Sequence, residues 1–270
     1  MPVFAIPGNH DWYDGLDLFL AHFCREKHWH LGSWRSQQWR SYFALQLTDV
    51  WWLWATDIQL AETMDQPQAE YFASIAAHMP SKAKIILCSA EPGWLYTDTN
   101  IKSWEIMDFA LGITSEARNA DGTSKELKAP ILLSGDTHHY SRYEAKDGVQ
   151  FVTSGGGGAF LHPTHHLEQN ITVEWLGLKK SLQLGKIPTA KPGGAPSPAC
   201  YPSKETCQTL VWQNLFFALK NWDFSLLMGA IYWLGGIAIA FRDQWDVYLG
   251  ISLIQFGLFS MRKFDRLRNG

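Results

Sequence analysis

The sequence is poor in the features that announce the commoner biochemical classes. Four cysteines in 270 residues, Cys24, Cys88, Cys200 and Cys207, form neither a zinc-ligand spacing nor a disulfide framework. Cys88 sits in an apolar run and reads as a small buried hydrophobe. Cys200 and Cys207 flank a polar loop and read as free thiols that would pair only in an oxidising compartment. No Gly-x-Ser-x-Gly element and no cysteine in a nucleophile context is present, which disfavours serine and cysteine hydrolases. The glycine run Gly155 to Gly158 lacks the Lys-Ser/Thr ending of a phosphate-binding loop. A net charge of −3 leaves no basic footprint, so nucleic acid is not expected as a partner. The start, Met1-Pro2-Val3-Phe4, has neither the basic lead nor the long apolar region of a signal peptide.

What the sequence does have is apolar mass and a few dense polar motifs. It is 46% hydrophobic with 14 tryptophans, enough for a sizeable core. Near the start, Val3 to Ile6 reads as a buried strand ended by Pro7-Gly8, and Asn9-His10-Asp11 follow directly. Strand ends are where α/β sheets usually bind ligands. There an Asn9 carbonyl oxygen can ligate a metal, His10 can donate a proton, and Asp11 can orient that imidazole. The competing reading is a turn in which Asn9 and Asp11 satisfy local backbone. A second polar block, Gly135-Asp136-Thr137-His138-His139, follows the apolar run Ile131 to Ser134.

Between these blocks the pattern predicts an amphipathic helix from Leu16 to near Lys27 and a hairpin of Tyr42–Leu47 and Val50–Ala55. It also predicts a helix over Gln66–His78 closed by Pro80, a buried strand Lys84–Cys88, and a helix Ile101–Leu111 before a polar loop. Strand, helix, strand in this order implies a βαβ unit with parallel pairing. Asp57, at a strand end, is a candidate site-edge residue. The Trp- and Arg-rich stretch from His28 to Arg40 reads as a rim packed on the core, with a planar or anionic ligand as the alternative. Two further strands are expected near Arg142–Ala145 and Val149–Thr153. The glycine run after them suggests close backbone approach beside the site. His162, His165 and His166 read as a loop fixed by hydrogen bonds, with ligand or substrate contact as the alternative.

Gly8-Asn9-His10-Asp11 followed by Gly135-Asp136-Thr137-His138 resembles the calcineurin-like metallophosphoesterases, whose signatures include Gly-Asn-His-Asp/Glu and Gly-His-x-His. The resemblance implies an α/β fold, part of a four-layer αββα sandwich, with divalent metals (two in a complete family site, as Mn, Fe or Zn) clamping a phosphoryl group about 3.5–4 Å apart. It implies Asn9, Asp136 and His138 as metal ligands and His10, with Asp11, as the catalytic pair. Asp136 stands where the family has His, a substitution compatible with those metals. The family's isolated His falls on Ala90, and Glu91 is its candidate substitute as a metal ligand. Only eight residues precede Asn9, so the family's first two ligand blocks are not expected, and hydrolysis of a phosphorylated substrate is expected to be impaired in this chain. The alternatives are a non-catalytic membrane-associated remnant and a small-molecule binding module.

Three parts are expected: a partial phosphoesterase domain over 1–186, a Pro/Gly-rich linker over 187–204, and a C-terminal segment over 205–270. Phe224 to Phe241 and Val247 to Met261 carry no charge and read as a hydrophobic helical hairpin, one or two spans of a lipid bilayer. If both cross, the basic end from Arg262 places the phosphoesterase-like part in the cytoplasm.

Overall fold

The computed structural model describes residues 1–25, 30–57, 64–97, 102–156, 161–188 and 196–240. It divides into two compact units, 1–207 and 208–270. The first is a mixed α/β unit built on a large sheet.

The chain begins with β1 (Pro2–Val3), a 3-10 turn Asn9–Asp14 and α1 (Asp17–Phe23), followed by β2 (His30–Leu31) and β3 (Trp34–Ser36). The expected buried strand over Val3 to Ile6 is therefore corrected. Only two residues pair, in a small sheet ordered β1-β3-β2, and Val3 to Ile6 are half-buried. The pairing stops because a side chain takes over from it. Buried Gln38 accepts from Ala5 N–H through Oε1 at 2.7 Å and donates through Nε2 to the Ala5 and Arg40 carbonyls at 2.8 and 2.9 Å. Helix α1 ends at Phe23, and Lys27 lies outside the described residues.

The hairpin forms as expected from β4 (Phe43–Gln46) and β5 (Trp51–Ala55), with the Thr48 hydroxyl accepting the Val50 and Trp51 N–H groups in the turn. Helix α2 (Gln66–His78) matches its expected bounds. Asp65 caps it by accepting the Gln68 N–H, and Pro sits in its first turn, where a missing N–H costs nothing. Next come β6 (Lys84–Ser89), α3 (Lys102–Glu116), β7 (Lys128–Ser134), β8 (Tyr140–Ala145) and β9 (Gln150–Ser154). Helix α3 runs past the expected Leu111, because Ile113 packs on the core and Thr114 is buried.

A hairpin that the alternation did not reveal, β10 (Asn170–Trp175) and β11 (Leu178–Leu184), extends the sheet; its exposed positions are polar apart from Leu178, and only Val173, Leu182 and Leu184 are fully buried. Two-residue pieces β12 (Lys186–Ile187), β13 (Ser197–Pro198) and β14 (Cys200–Tyr201) close the unit. The expected linker thus belongs partly to the first unit: β12 pairs with β13, and β14 pairs with β8. Residues 189–195 lie outside the described set.

The main sheet runs β10-β11-β8-β9-β7-β6-β5-β4, with β14 added beside β8. Strands β5, β6, β7 and β9 are parallel, so their carboxyl ends share one edge. Register places Trp54, Leu87, Leu132, Phe151, Tyr143 and Leu184 in one row across six strands, each at most 1% exposed. Side chains paired across strands project to the same face. Helices α2 and α3 cover this face: Phe72 stacks on Trp54 at 4.9 Å, and Trp104 lies 6.3 Å from Phe151. Each such aromatic burial stabilises by about 2–3 kcal/mol in transfer terms.

Helix α4 (Lys204–Asn214) carries the boundary between the two units. In the second unit, α5 (Phe217–Lys220) precedes α6 (Trp222–Ala240). Helix α6 coincides with the first uncharged run. Phe224, Leu226, Leu227, Ile231, Tyr232, Trp233 and Leu234 are all exposed on it, and at about 100° per residue these apolar side chains spread around its circumference. Among the described residues no helix is long and apolar enough to cross a membrane. The second run, Val247 to Met261, lies outside the described residues.

Candidate functional site

The two polar blocks arise from different kinds of local structure. Asn9-His10-Asp11 opens the 3-10 turn, which ends at Gly15 with φ +73°. Asp11 Oδ2 accepts the Gly8 N–H at 2.8 Å, so this carboxylate closes its own turn. The competing reading from the sequence thus accounts for one of the Asp11 carboxylate oxygens. His10 is exposed and packs against Tyr13, with ring centroids 4.9 Å apart; Asn9 is half-buried. Trp12 anchors the turn, donating its indole N–H to Asp57 Oδ1 at 3.0 Å. Asp57 is buried just past β5, and its own N–H is held by Gln68 Oε1 at 2.8 Å. The site-edge residue expected at this strand end is therefore what ties the first block to the sheet.

The second block leaves the carboxyl end of β7, in the centre of the parallel strands. Gly135 N–H donates to the Ala90 carbonyl at 3.0 Å, joining this loop to the one after β6. Asp136 follows with φ +56°, a left-handed conformation that Asp tolerates better than most residues. Thr137 and His139 donate to the Gly135 and Thr137 carbonyls at 2.7 and 2.6 Å, and Gly155 N–H donates to the His139 carbonyl at 3.0 Å. Gly155 presses directly on this loop, since a Cβ there would lie 2.0 Å from the Thr137 carbonyl oxygen. The close approach expected of the glycine run is thus found at Gly155; Gly157 and Gly158 lie outside the described residues.

Electrostatics brings the blocks together. Burial raises the Asp136 carboxyl above the usual Asp value, and the imidazoles of His138, His162 and His10, in that order, oppose the rise. His10 and Asp136, far apart in the chain, therefore share one local field. Tyr96 is pushed up to about 12, first by burial and then by the negative charges of Asp136 and Glu91. Glu91 faces the same region, but its Oε2 accepts the hydroxyl of Ser103 in the first turn of α3, where a carboxylate also meets the positive helix end.

His162 lies, as expected, in a loop fixed by hydrogen bonds, but its place beside His138 was not expected, and Tyr96 was not among the candidates. The His162 ring stacks on His138 with centroids 4.8 Å apart, the His162 backbone N–H donates to the His138 carbonyl at 3.0 Å, and the His138 backbone N–H donates to His162 Nδ1 at 3.4 Å. Burial, with His138 beside it, lowers the His162 imidazole below its ordinary value, and Asp136 acts the other way. A histidine after a glycine run near a strand end was the available signal; its partner was not readable from spacing. His165 and His166 sit elsewhere in the same loop. His165 Nδ1 lies 3.1 Å from Cys207 Sγ, which also accepts the Thr164 N–H at 3.3 Å, as expected of a loop fixed by hydrogen bonds. The Trp- and Arg-rich stretch splits: Arg40 lies over the Tyr42 and Tyr71 rings at 5.8 and 5.4 Å, while Trp34 and Trp39 are exposed.

An amide, a carboxylate and imidazoles suit Mn, Fe or Zn chemically. Their arrangement falls short of a cage: among the described residues, no group of three or more His, Cys, Asp or Glu side chains is placed to hold a metal ion. Compared with known family models, with characterised proteins and with solved structures, the chain gives no match.

Proposed function

We propose that this chain carries part of a phosphoester-hydrolase site of the metal-dependent, calcineurin-like kind, impaired as it stands because its ligand set is short. On this reading the mixed sheet is one sheet of a four-layer αββα sandwich, and the substrate is a phosphorylated compound. The observation that carries the reading is that Asp136, at the carboxyl edge of the parallel strands, feels the charges of His138, His162 and His10, the first two with stacked rings. That edge is where α/β sheets place ligands. His10, exposed on its turn, is positioned to give a proton to a departing alkoxide, while the imidazoles of His138 and His162 offer donors to phosphoryl oxygens. Since the donors do not close around a metal, no step is assigned to one.

The test is titration of the full chain with Mn²⁺ and Zn²⁺, alongside hydrolysis of a chromogenic phosphodiester. Weak metal binding that Asn9→Ala, Asp136→Asn and His138→Ala each reduce at least tenfold, with slow turnover lost in His10→Ala, is expected. Full manganese-dependent turnover would remove the impairment. Metal binding indifferent to all three variants would overturn the site. The absence of a three-donor group among the described residues favours a second reading, a non-catalytic binding module, which predicts phosphate binding that is independent of metal.

The uncharged residues of α6 carry a further element of the proposal, association of the C-terminal segment with a lipid bilayer, with the phosphoesterase-like part on the cytoplasmic side. An apolar helix exposed on every side gains free energy by leaving water. Co-flotation of the full chain with neutral phospholipid vesicles tests it; a chain that stays entirely in the aqueous fraction would overturn it.

A further inference from the structure

One step beyond the apolar row, toward the carboxyl ends of the strands, the same face of the sheet changes chemistry. Register aligns Ser89 of β6, Ser134 of β7, Thr153 of β9 and Ser141 of β8 in a second row. Their exposures are 2%, 5%, 0% and 0%. Ser141 Oγ lies 3.3 Å from His139 Nε2, but the hydroxyls of Ser89, Ser134 and Thr153 have no hydrogen-bond partner among the described residues. Two indole N–H groups are in the same condition nearby. Trp54 belongs to the adjacent apolar row, and Trp94 packs edge-on against Phe151 of that row at 5.5 Å. Nδ1 of buried His139 is also without a partner.

Isolated orphans of this kind are rare in proteins, and each is costly when left dry. Here six polar atoms are gathered at one edge of one sheet. Spacing supplies the explanation. Neighbouring strands lie about 4.8 Å apart, and among the described residues none of these three hydroxyls bonds another. One water oxygen about 2.8 Å from each hydroxyl spans that gap. Serine and threonine hydroxyls both donate and accept, so a line of waters between them is satisfied in either direction.

We infer that the row Ser89–Ser134–Thr153 is a buried hydration site, in which ordered water molecules bridge the carboxyl ends of β6, β7 and β9. These strands lead directly into Glu91, Asp136 and Gly155. The waters therefore form a polar floor that fixes the three loop origins relative to one another, whether or not the loops hydrolyse a phosphoester. The helix-covered face is built as a dry apolar layer and a wet rim, with the change made over two residues in each strand.

Thermal unfolding of the full chain separates wet from dry. Thr153→Val is isosteric, and Ser134→Ala removes one atom. If water satisfies these hydroxyls, each variant loses hydrogen bonds and its Tm falls by about 2–4 °C. If the hydroxyls are dry, removing them relieves an unpaired polar group, and an unchanged or raised Tm overturns the inference. Should a variant fail to fold, the wild-type chain decides the matter by NMR. Long-lived water cross-peaks to the Trp94 indole N–H and the Thr153 hydroxyl are expected, and their absence at both groups overturns it.

Discussion

The two halves of the candidate site are held in opposite ways. The block at Asp136 to His138 grows out of a central parallel strand and is clamped by backbone: Gly135 on Ala90, Gly155 on His139, and the Thr137 carbonyl against the Gly155 Cα. The block at Asn9 to Asp11 sits on a one-turn 3-10 helix beside a two-residue strand, and is tied to the sheet by side chains, Trp12 on Asp57 and Gln38 on Ala5. Backbone clamps fix position to a fraction of an ångström, because neither partner has a rotamer to change. Side-chain tethers leave their segment free to shift at the cost of about 1 kcal/mol per hydrogen bond. The site thus joins a rigid half to an adjustable one, and the same substitution type has unequal consequences on the two sides.

The largest effect is expected on the rigid side. Gly155→Ala puts a methyl 2.0 Å from the Thr137 oxygen and 2.7 Å from its carbonyl carbon, both backbone atoms. One of the two chains must move, so a loss of about 3–5 kcal/mol is expected by denaturant unfolding. Gly156→Ala, with nothing within 4 Å of the new carbon, is the control and should stay within about 0.5 kcal/mol. Equal losses in the two variants would show that the clamp is not at Gly155.

His139 sharpens the contrast through pH. Burial, reinforced by the nearby imidazoles of His166 and His162, pushes its imidazole down to about 4 from an ordinary 6.5. The folded state therefore binds fewer protons than the unfolded state between these values. Stability from neutral His139 is complete above about pH 6.5 and is lost progressively as pH falls to about 4, by up to about 3 kcal/mol. His139→Asn removes that titration, so its stability curve should be flatter across this window. A variant curve parallel to wild type from pH 7 to 4 would place the acid lability elsewhere.

The sequence made the rigid half more legible than the adjustable one. The apolar runs Lys84–Cys88 and Ile131–Ser134 identified two central strands, and helix α2 was readable to its terminal residues from its apolar period and the closing Pro80. These are local signals: a period and a breaker. The opening run Val3 to Ile6 carried the same apolar signal and was misread, because its pairing is completed by Gln38, a tertiary contact that leaves no trace in spacing. His162 was visible as a residue but not as the neighbour of His138, since register between the glycine-run loop and β7 is set by Gly155. Patterning also exposed the apolar row of the core while hiding the hydroxyl row beside it. Single serines at strand ends look like ordinary punctuation until pairing aligns them.

Asp11 is where the adjustable half meets chemistry, and the expected effect on stability is the smallest. Its carboxylate accepts the Gly8 N–H from an exposed position, a bond worth about 0.5–1 kcal/mol. Asp11→Asn keeps an acceptor oxygen on the same stem, so Tm should move by less than about 2 °C. Asp11→Ala removes the acceptor and frees the turn that presents His10. If Asp11 serves only to shape that turn, phosphodiester turnover should survive in Asp11→Asn and fall in Asp11→Ala in proportion to the loosening of the turn, read as faster amide hydrogen exchange at Gly8 and Asp11. If instead its charge orients the His10 imidazole, Asp11→Asn should lower turnover as far as Asp11→Ala with no change in exchange. The pair of variants therefore distinguishes a carboxylate that holds backbone from one that acts on an imidazole, a choice that the motif Gly-Asn-His-Asp leaves open.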